Sequence, residues 1–203
     1  MPVIVDNLVS DRLKSFTRLM STASKLYHAN PENSPKKMNI SDDEVLSLLG
    51  SLNRHQVRFL VVGGMAGVVH GHIRTTQDMD IWLKSDGQTK AGLILALEEN
   101  DVAGAAHLKD VPLLVGWTSV SVGGYGFTLD MGYALKAFSN EDFEACYERA
   151  LNASFDGVPF KVIQLNDLIA EKLVAGRSKD MADVEELTKI RDRKQDGQTG
   201  VNR

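Results

Sequence analysis

The 203-residue chain has one cysteine, Cys146, so no internal disulfide framework can hold it together. It has no apolar run long enough to span a bilayer and no convincing secretory signal, which makes the cytoplasm its expected location. It also lacks an excess of positive charge: 23 Lys and Arg against 27 Asp and Glu give a formal net charge of -4. That balance argues against broad electrostatic adhesion to nucleic acid, while leaving room for a local basic stripe that holds one RNA end. Two common nucleotide signatures are missing as well. Neither the six-residue dinucleotide fingerprint nor a phosphate loop ending in Gly-Lys-Ser/Thr occurs, so a Rossmann dehydrogenase and a P-loop NTPase both lose support. What is present, 43% hydrophobic and 25% charged residues, is ordinary for a globular chain with one substantial core.

The most informative stretch runs from Val57 to Leu83. Phe59 to Val62 is uninterrupted apolar sequence, as expected of a strand buried on both faces, and Gly63-Gly64 then lets the backbone turn sharply into a helix expected from about Met65 to His70. Backbone amides at such a turn attract phosphate oxygens, and residues without side chains allow close approach. A second strand, Met79 to Leu83, follows, and Asp78 and Asp80 stand two apart at its start, so both side chains point to one face. An isolated Asp-x-Asp is ordinarily a solvated loop. Here the glycine turn before it and the apolar flanks favour a cation site, since hard divalent ions are held by one or two carboxylates together with substrate phosphates.

Elsewhere the chain reads as alternating elements. Residues 1–37 form an N-terminal helical extension and linker, with Leu8, Leu13, Phe16, Leu19 and Met20 at roughly helical spacing before Asn30-Pro-Glu-Asn-Ser-Pro35. A main domain over 38–190 opens at Ser41-Asp-Asp-Glu44, a capping-box pattern, with an apolar stripe from Val45 to Leu52. A helix is expected over Thr89 to Glu99, and one or two strands over Val111 to Val122. Gly123-Gly124 then turns the chain toward a strand over Phe127 to Met131, on which Asp130 projects opposite Leu129. A helix over Asn140 to Ala150, a strand over Val158 to Ile163, and helices over Leu168 to Ala175 and Lys179 to Ile190 complete the domain, with Asn166-Asp167 as caps and Gly176 as separator. The polar tail 191–203 is expected to be flexible.

Gly63-Gly64, Arg74-Thr75-Thr76, Asp78-Met-Asp80 and the apolar Ile81-Trp82-Leu83 together resemble the signature of the polymerase-β-like nucleotidyltransferase superfamily. The likeness is closest to its small bacterial branch of minimal nucleotidyltransferases and abortive-infection (AbiEii-type) toxins, and it covers roughly residues 40–190. The resemblance implies an α/β (α+β) nucleotidyltransferase fold: a small mixed sheet flanked by helices, with a C-terminal helical element. It implies Asp78, Asp80 and Asp130 as catalytic carboxylates and ligands of Mg²⁺, with Mn²⁺ as an alternative. It further implies that Gly63, Gly64, Arg74 and Thr75 meet the phosphates of an NTP, ATP among the candidates. The downstream run Lys172-Leu-Val-Ala-Gly-Arg177-Ser-Lys179-Asp180-Met-Ala-Asp183 is similar to a motif of the same branch. By that match Lys172 and Lys179 face phosphate, and Asp180 or Asp183 orients Lys172 or a basic neighbour. The superfamily often has Gly-Ser where this chain has Gly63-Gly64, which removes one hydroxyl contact.

The implied reaction moves NMP from an NTP to a hydroxyl acceptor, which would be an RNA 3′ end, a protein or a small molecule such as an aminoglycoside. A toxin role would bring an antitoxin protein as partner. The rival class is a non-catalytic nucleotide-binding or regulatory protein that keeps the fold. A metal-dependent phosphohydrolase is disfavoured because no His-Asp metal pattern occurs. His70 and His72 have no Cys or third His at ligand spacing and are left out of the site, while Cys146, Trp82 and Trp117 are assigned to packing.

Overall fold

The computed structural model describes residues 43–110, 117–123 and 127–199. The expected N-terminal helical extension and linker over 1–37, Ser41 of the capping box and the expected strand residues 111–116 lie outside these. Helix α1, Asp43–Arg54, buries Val45, Leu48, Leu49 and Leu52 along one stripe, with acids in its first turn and Arg54 in its last, both favourable to the helix dipole. Strand β1, Phe59–Val61, is buried at every position. Helix α2, Gly63–His70, begins at the first glycine, two residues earlier than expected, and β2, Asp78–Leu83, includes Asp78. Helix α3, Gly87–Glu99, starts where the Asp86 side chain accepts the Thr89 amide at 2.7 Å.

Strands β3, Trp117–Val122, and β4, Phe127–Gly132, form the antiparallel pair expected from the Gly123 turn. The expected helix over 140–150 is a 3-10 turn, Asn140–Asp142, leading into the short α4, Phe143–Glu148. A hairpin of β5, Leu151–Phe155, and β6, Val158–Val162, comes next, and its first strand has no counterpart in the sequence reading. Helix α5, Leu165–Ala175, starts three residues early because Gln164 is its cap, accepting the amides of Asn166 and Asp167, the two residues expected to cap it. Helix α6, Ser178–Thr199, continues past Arg191, where polar composition suggested that regular structure would end.

The six strands make one mixed sheet in the order β3-β4-β2-β1-β6-β5. β2 runs antiparallel to β1 and parallel to β4, while β1 runs parallel to β6. Trp82 is fully buried in the core and packs edge-on to Phe143 at 5.3 Å between ring centroids. Among the described residues no helix is long and apolar enough to cross a membrane.

Candidate active site

The site begins with register. Asp80 on β2 pairs with Asp130 on β4, and Asp78 pairs with Thr128, so all three carboxylates share one face of two adjacent parallel strands. Gly63 shows why glycine stands beside them: its φ is +59°, and a Cβ there would lie 1.9 Å from Asp80 Oδ2. At Gly64 a Cβ would lie 2.7 Å from the Thr76 hydroxyl oxygen. With no side chains in the way, the Gly64 backbone lies against the Asp80 carboxylate and favours its ionised form.

Burial, followed by the charges of Asp78 and Asp130, pushes the Asp80 carboxyl up to about 6. Thr76 donates its hydroxyl to Asp78 Oδ1 at 2.9 Å, and Ser119 on β3 donates to Asp130. Three oxygen-bearing anions crowded on one face are the donor set a hard divalent cation takes, and the raised Asp80 registers the repulsion that such an ion relieves. Among the described residues no three His, Cys, Asp or Glu side chains already converge at ligating distance.

The opposite wall comes from α5 and α6. Gly176, at φ +65°, breaks the helix between them, so Lys172, Lys179 and Asp183 do not share one continuous helix face. The turn brings Lys172 and Asp183 together instead. Lys172 is buried, its ammonium 2.6 Å from Asp183 and 3.4 Å from Asp180. Asp183 also accepts from Arg74 and from His72 Nε2 at 3.1 Å, tying the 71–76 segment to the C-terminal helices. Burial opposes ionisation of Asp183, but hydrogen bonds from His72 and Lys172 and the charges of Lys172 and Arg74 outweigh it and hold the carboxyl below the usual range. Asp180 is likewise buried, and its hydrogen bond from Arg177 with the Lys172 charge keeps it low.

Between these walls lies a cavity of about 460 Å³. Of the sequence-predicted residues, Gly63, Gly64, Arg74, Asp78, Asp80, Asp130, Lys172, Lys179 and Asp180 line it. Thr75 does not. It is exposed, its carbonyl accepts from Arg74 Nε, and the neighbouring Thr76 is the threonine that reaches the carboxylates. The charge available to a ligand also differs from expectation, since Lys172 is enclosed by carboxylates while Lys179, Arg177 and Lys136 are exposed at the rim.

Sequence reading missed several participants. His72 and Ser119 orient carboxylates. Glu171 accepts the backbone amides of Lys136 and Ala137 at 3.0 and 2.7 Å, fixing the segment after β4 against α5. Trp117 was assigned to packing but is 40% exposed on the cavity wall, whereas Trp82 is core as expected. His70 is also core: it bonds the Ile163 carbonyl at 2.8 Å, and burial lowers its pKa to about 4, leaving the ring neutral at pH 7.

A glycine turn into a helix, set beside carboxylates on adjacent parallel strands, defines a class of nucleotide-handling α/β proteins, and the family comparison agrees. Residues 36–193 match the family described as nucleotidyltransferase of unknown function (DUF6036), and the chain belongs to that family. Among solved structures, the lincomycin-bound crystal structure of lincosamide antibiotic adenylyltransferase LnuA aligns at 18% identity, over 75% of this chain and 99% of that one, with a TM-score of 0.47. No curated protein sequence matches.

Proposed function

We propose that the chain is a metal-dependent enzyme that moves NMP from an NTP to a hydroxyl acceptor, in the manner of the minimal and abortive-infection branch of the nucleotidyltransferases. The observation that carries this reading is the pairing of Asp80 with Asp130 across parallel strands, with Asp78 on the same face and the Gly63-Gly64 turn against them. Asp78, Asp80 and Asp130 would hold Mg²⁺, or Mn²⁺ in its place, and the bound ion would neutralise charge on the phosphate oxygens. The amides at the start of α2 receive phosphate oxygens. Lys179 faces the leaving pyrophosphate, as the resemblance implies, and Arg177 joins it in place of Lys172. Lys172 instead holds Asp180 and Asp183 in place, and through Asp183 also Arg74.

The acceptor oxygen attacks the α-phosphorus, the bond to pyrophosphate breaks, and the hydroxyl proton passes to Asp130. An RNA 3′ end or a protein hydroxyl is preferred to a small cationic acceptor, because the rim carries Lys136, Arg177 and Lys179. A toxin working against a cognate antitoxin protein in the cytoplasm fits this activity.

Incubation with Mg²⁺, each labelled NTP and total cellular RNA and protein tests the reading. Label should pass from at least one NTP to a macromolecule, and an Asp78→Ala, Asp80→Ala double variant should be inactive. Absence of transfer to any acceptor, together with absence of Mg²⁺-dependent NTP binding, leaves only a non-catalytic binding protein.

A further inference from the structure

The residue that the proposed chemistry leaves unused is Trp117. A Cβ built on Gly132 lies 3.1, 3.1 and 3.2 Å from Cε2, Nε1 and Cδ1 of the Trp117 indole. A point nearly equidistant from three atoms of a ring lies on the axis through its centre. The indole therefore lies flat over Gly132, its cross-strand partner, and a side chain at 132 would push the ring away by a few tenths of an ångström. Its Nε1–H donates to the Ala134 carbonyl at 3.0 Å, which fixes the rotation of the ring in its plane. Gly132 covers one face of the ring, and the residue, 40% exposed, lines the cavity. An exposed aromatic face held in this way is a stacking surface.

Strand order says what would stack there. Trp117 is on β3 and the glycine turn follows β1, with the carboxylates of β4 and β2 between them. In an in-line displacement the acceptor approaches the phosphorus from the side opposite the leaving pyrophosphate. If phosphates lie against Gly63, Gly64, Arg177 and Lys179, the acceptor enters from the Asp130 and Trp117 side. Next to the indole are Leu135 and the exposed Lys136, whose ammonium has no carboxylate partner among the described residues. A flat ring beside the attacking hydroxyl, with an anionic group one step further along, is the chemistry this corner recognises.

We propose that Trp117 is the acceptor-stacking residue, and that the acceptor is a single-stranded RNA end whose terminal base lies on the indole while the preceding phosphate meets Lys136. Sequence-tolerant stacking of this type does not need the broad basic surface that the net charge of -4 argues against.

The proposal rests on the nucleotidyl-transfer reading, and the two fail separately. The full chain is titrated with Mg²⁺–NTP, and independently with two short single-stranded RNAs, one complete and one lacking its 3′-terminal base. Trp117→Ala should weaken the complete RNA by about tenfold, as loss of one base–aromatic stack does. Trp117→Phe should keep most of the affinity, and Mg²⁺–NTP binding should be unchanged in both variants. The abasic RNA should bind the native chain about as weakly as the complete RNA binds Trp117→Ala, with no further loss when both changes are combined. Undiminished RNA binding by Trp117→Ala, or equal binding of the two RNAs by the native chain, overturns the proposal. So does a selective loss of NTP binding in Trp117→Ala, which gives the indole to the incoming nucleotide. Labelling of a protein hydroxyl at an undiminished rate in that variant overturns it too. Absence of Mg²⁺–NTP binding by the native chain instead sinks the transfer reading, and the RNA titrations still decide the role of Trp117.

Discussion

Burial and two neighbouring carboxylates raise Asp80 to about 6 from the ordinary 3.8, and the direction of that shift fixes its effect on stability. A carboxyl whose folded-state pKa exceeds its unfolded value contributes stability below the unfolded pKa and loses it as pH rises through the folded one. In the metal-free chain this group alone therefore lowers stability between about pH 4 and pH 6, by on the order of 3 kcal/mol once ionised. Asp80→Asn should raise the melting temperature of the metal-free protein at pH 7.5 and flatten the decline from pH 5 to 7.5, while abolishing label transfer. Thermal melts at both pH values and the transfer assay measure the two effects on one sample. The native chain should also gain more stability from Mg²⁺ at pH 7.5 than at pH 5, because protons and the cation compete for the same oxygens.

At the scale of elements, the Val57 to Leu83 unit was legible because each device in it is local: an unbroken apolar strand, two glycines, a two-residue period. Asp130 was legible by alternation along its own strand, and its pairing with Asp80 follows from β2 and β4 lying side by side. What escaped was non-local or turned on a single residue. Strand β5 was hidden by its modest composition, although Asp156-Gly157, at φ of 47° and 81°, is a two-residue hairpin signal at its end. The Gln164 cap lay outside the usual capping residues. His72 could not be assigned from spacing, since its partner Asp183 is 111 residues away. That contact makes a prediction for the joint between the 71–76 segment and α6. Asp183→Ala removes the nearer partner of buried Lys172 and frees Arg74 and His72, and should cost about 3 kcal/mol in urea unfolding, as breaking a buried ion pair does. Asp183→Asn, which keeps the hydrogen-bonding oxygen, should cost less.

At the scale of the whole molecule, the described residues of an acidic chain present a small basic rim at the cavity. Many cations near the cavity are already neutralised, Lys172 and Arg74 by Asp183 and Arg177 by Asp180, so charge on offer is scarce and confined to one edge. Binding of single-stranded RNA should then show a shallow salt dependence. With Lys136 as the cation that meets the RNA backbone, the slope of log affinity against log salt should be about -0.7. A titration between 50 and 200 mM salt measures it, and a slope several times steeper would mean a much longer electrostatic footprint than this rim supplies.

Trp82 and Trp117 donate to consecutive carbonyls, those of Tyr133 and Ala134, and Glu171 takes the next amides from Lys136 and Ala137. One of those indoles is sealed in the core and the other stands at the cavity. The segment between β4 and α4 is thus a bracket bolted at both ends, and it sets the distance between sheet and helix wall before any ligand arrives. Discrimination in such a gap works as a gauge does, by what passes between fixed jaws. The buried Trp82 thus helps hold, through Tyr133, the same wall of the cavity that Trp117 lines.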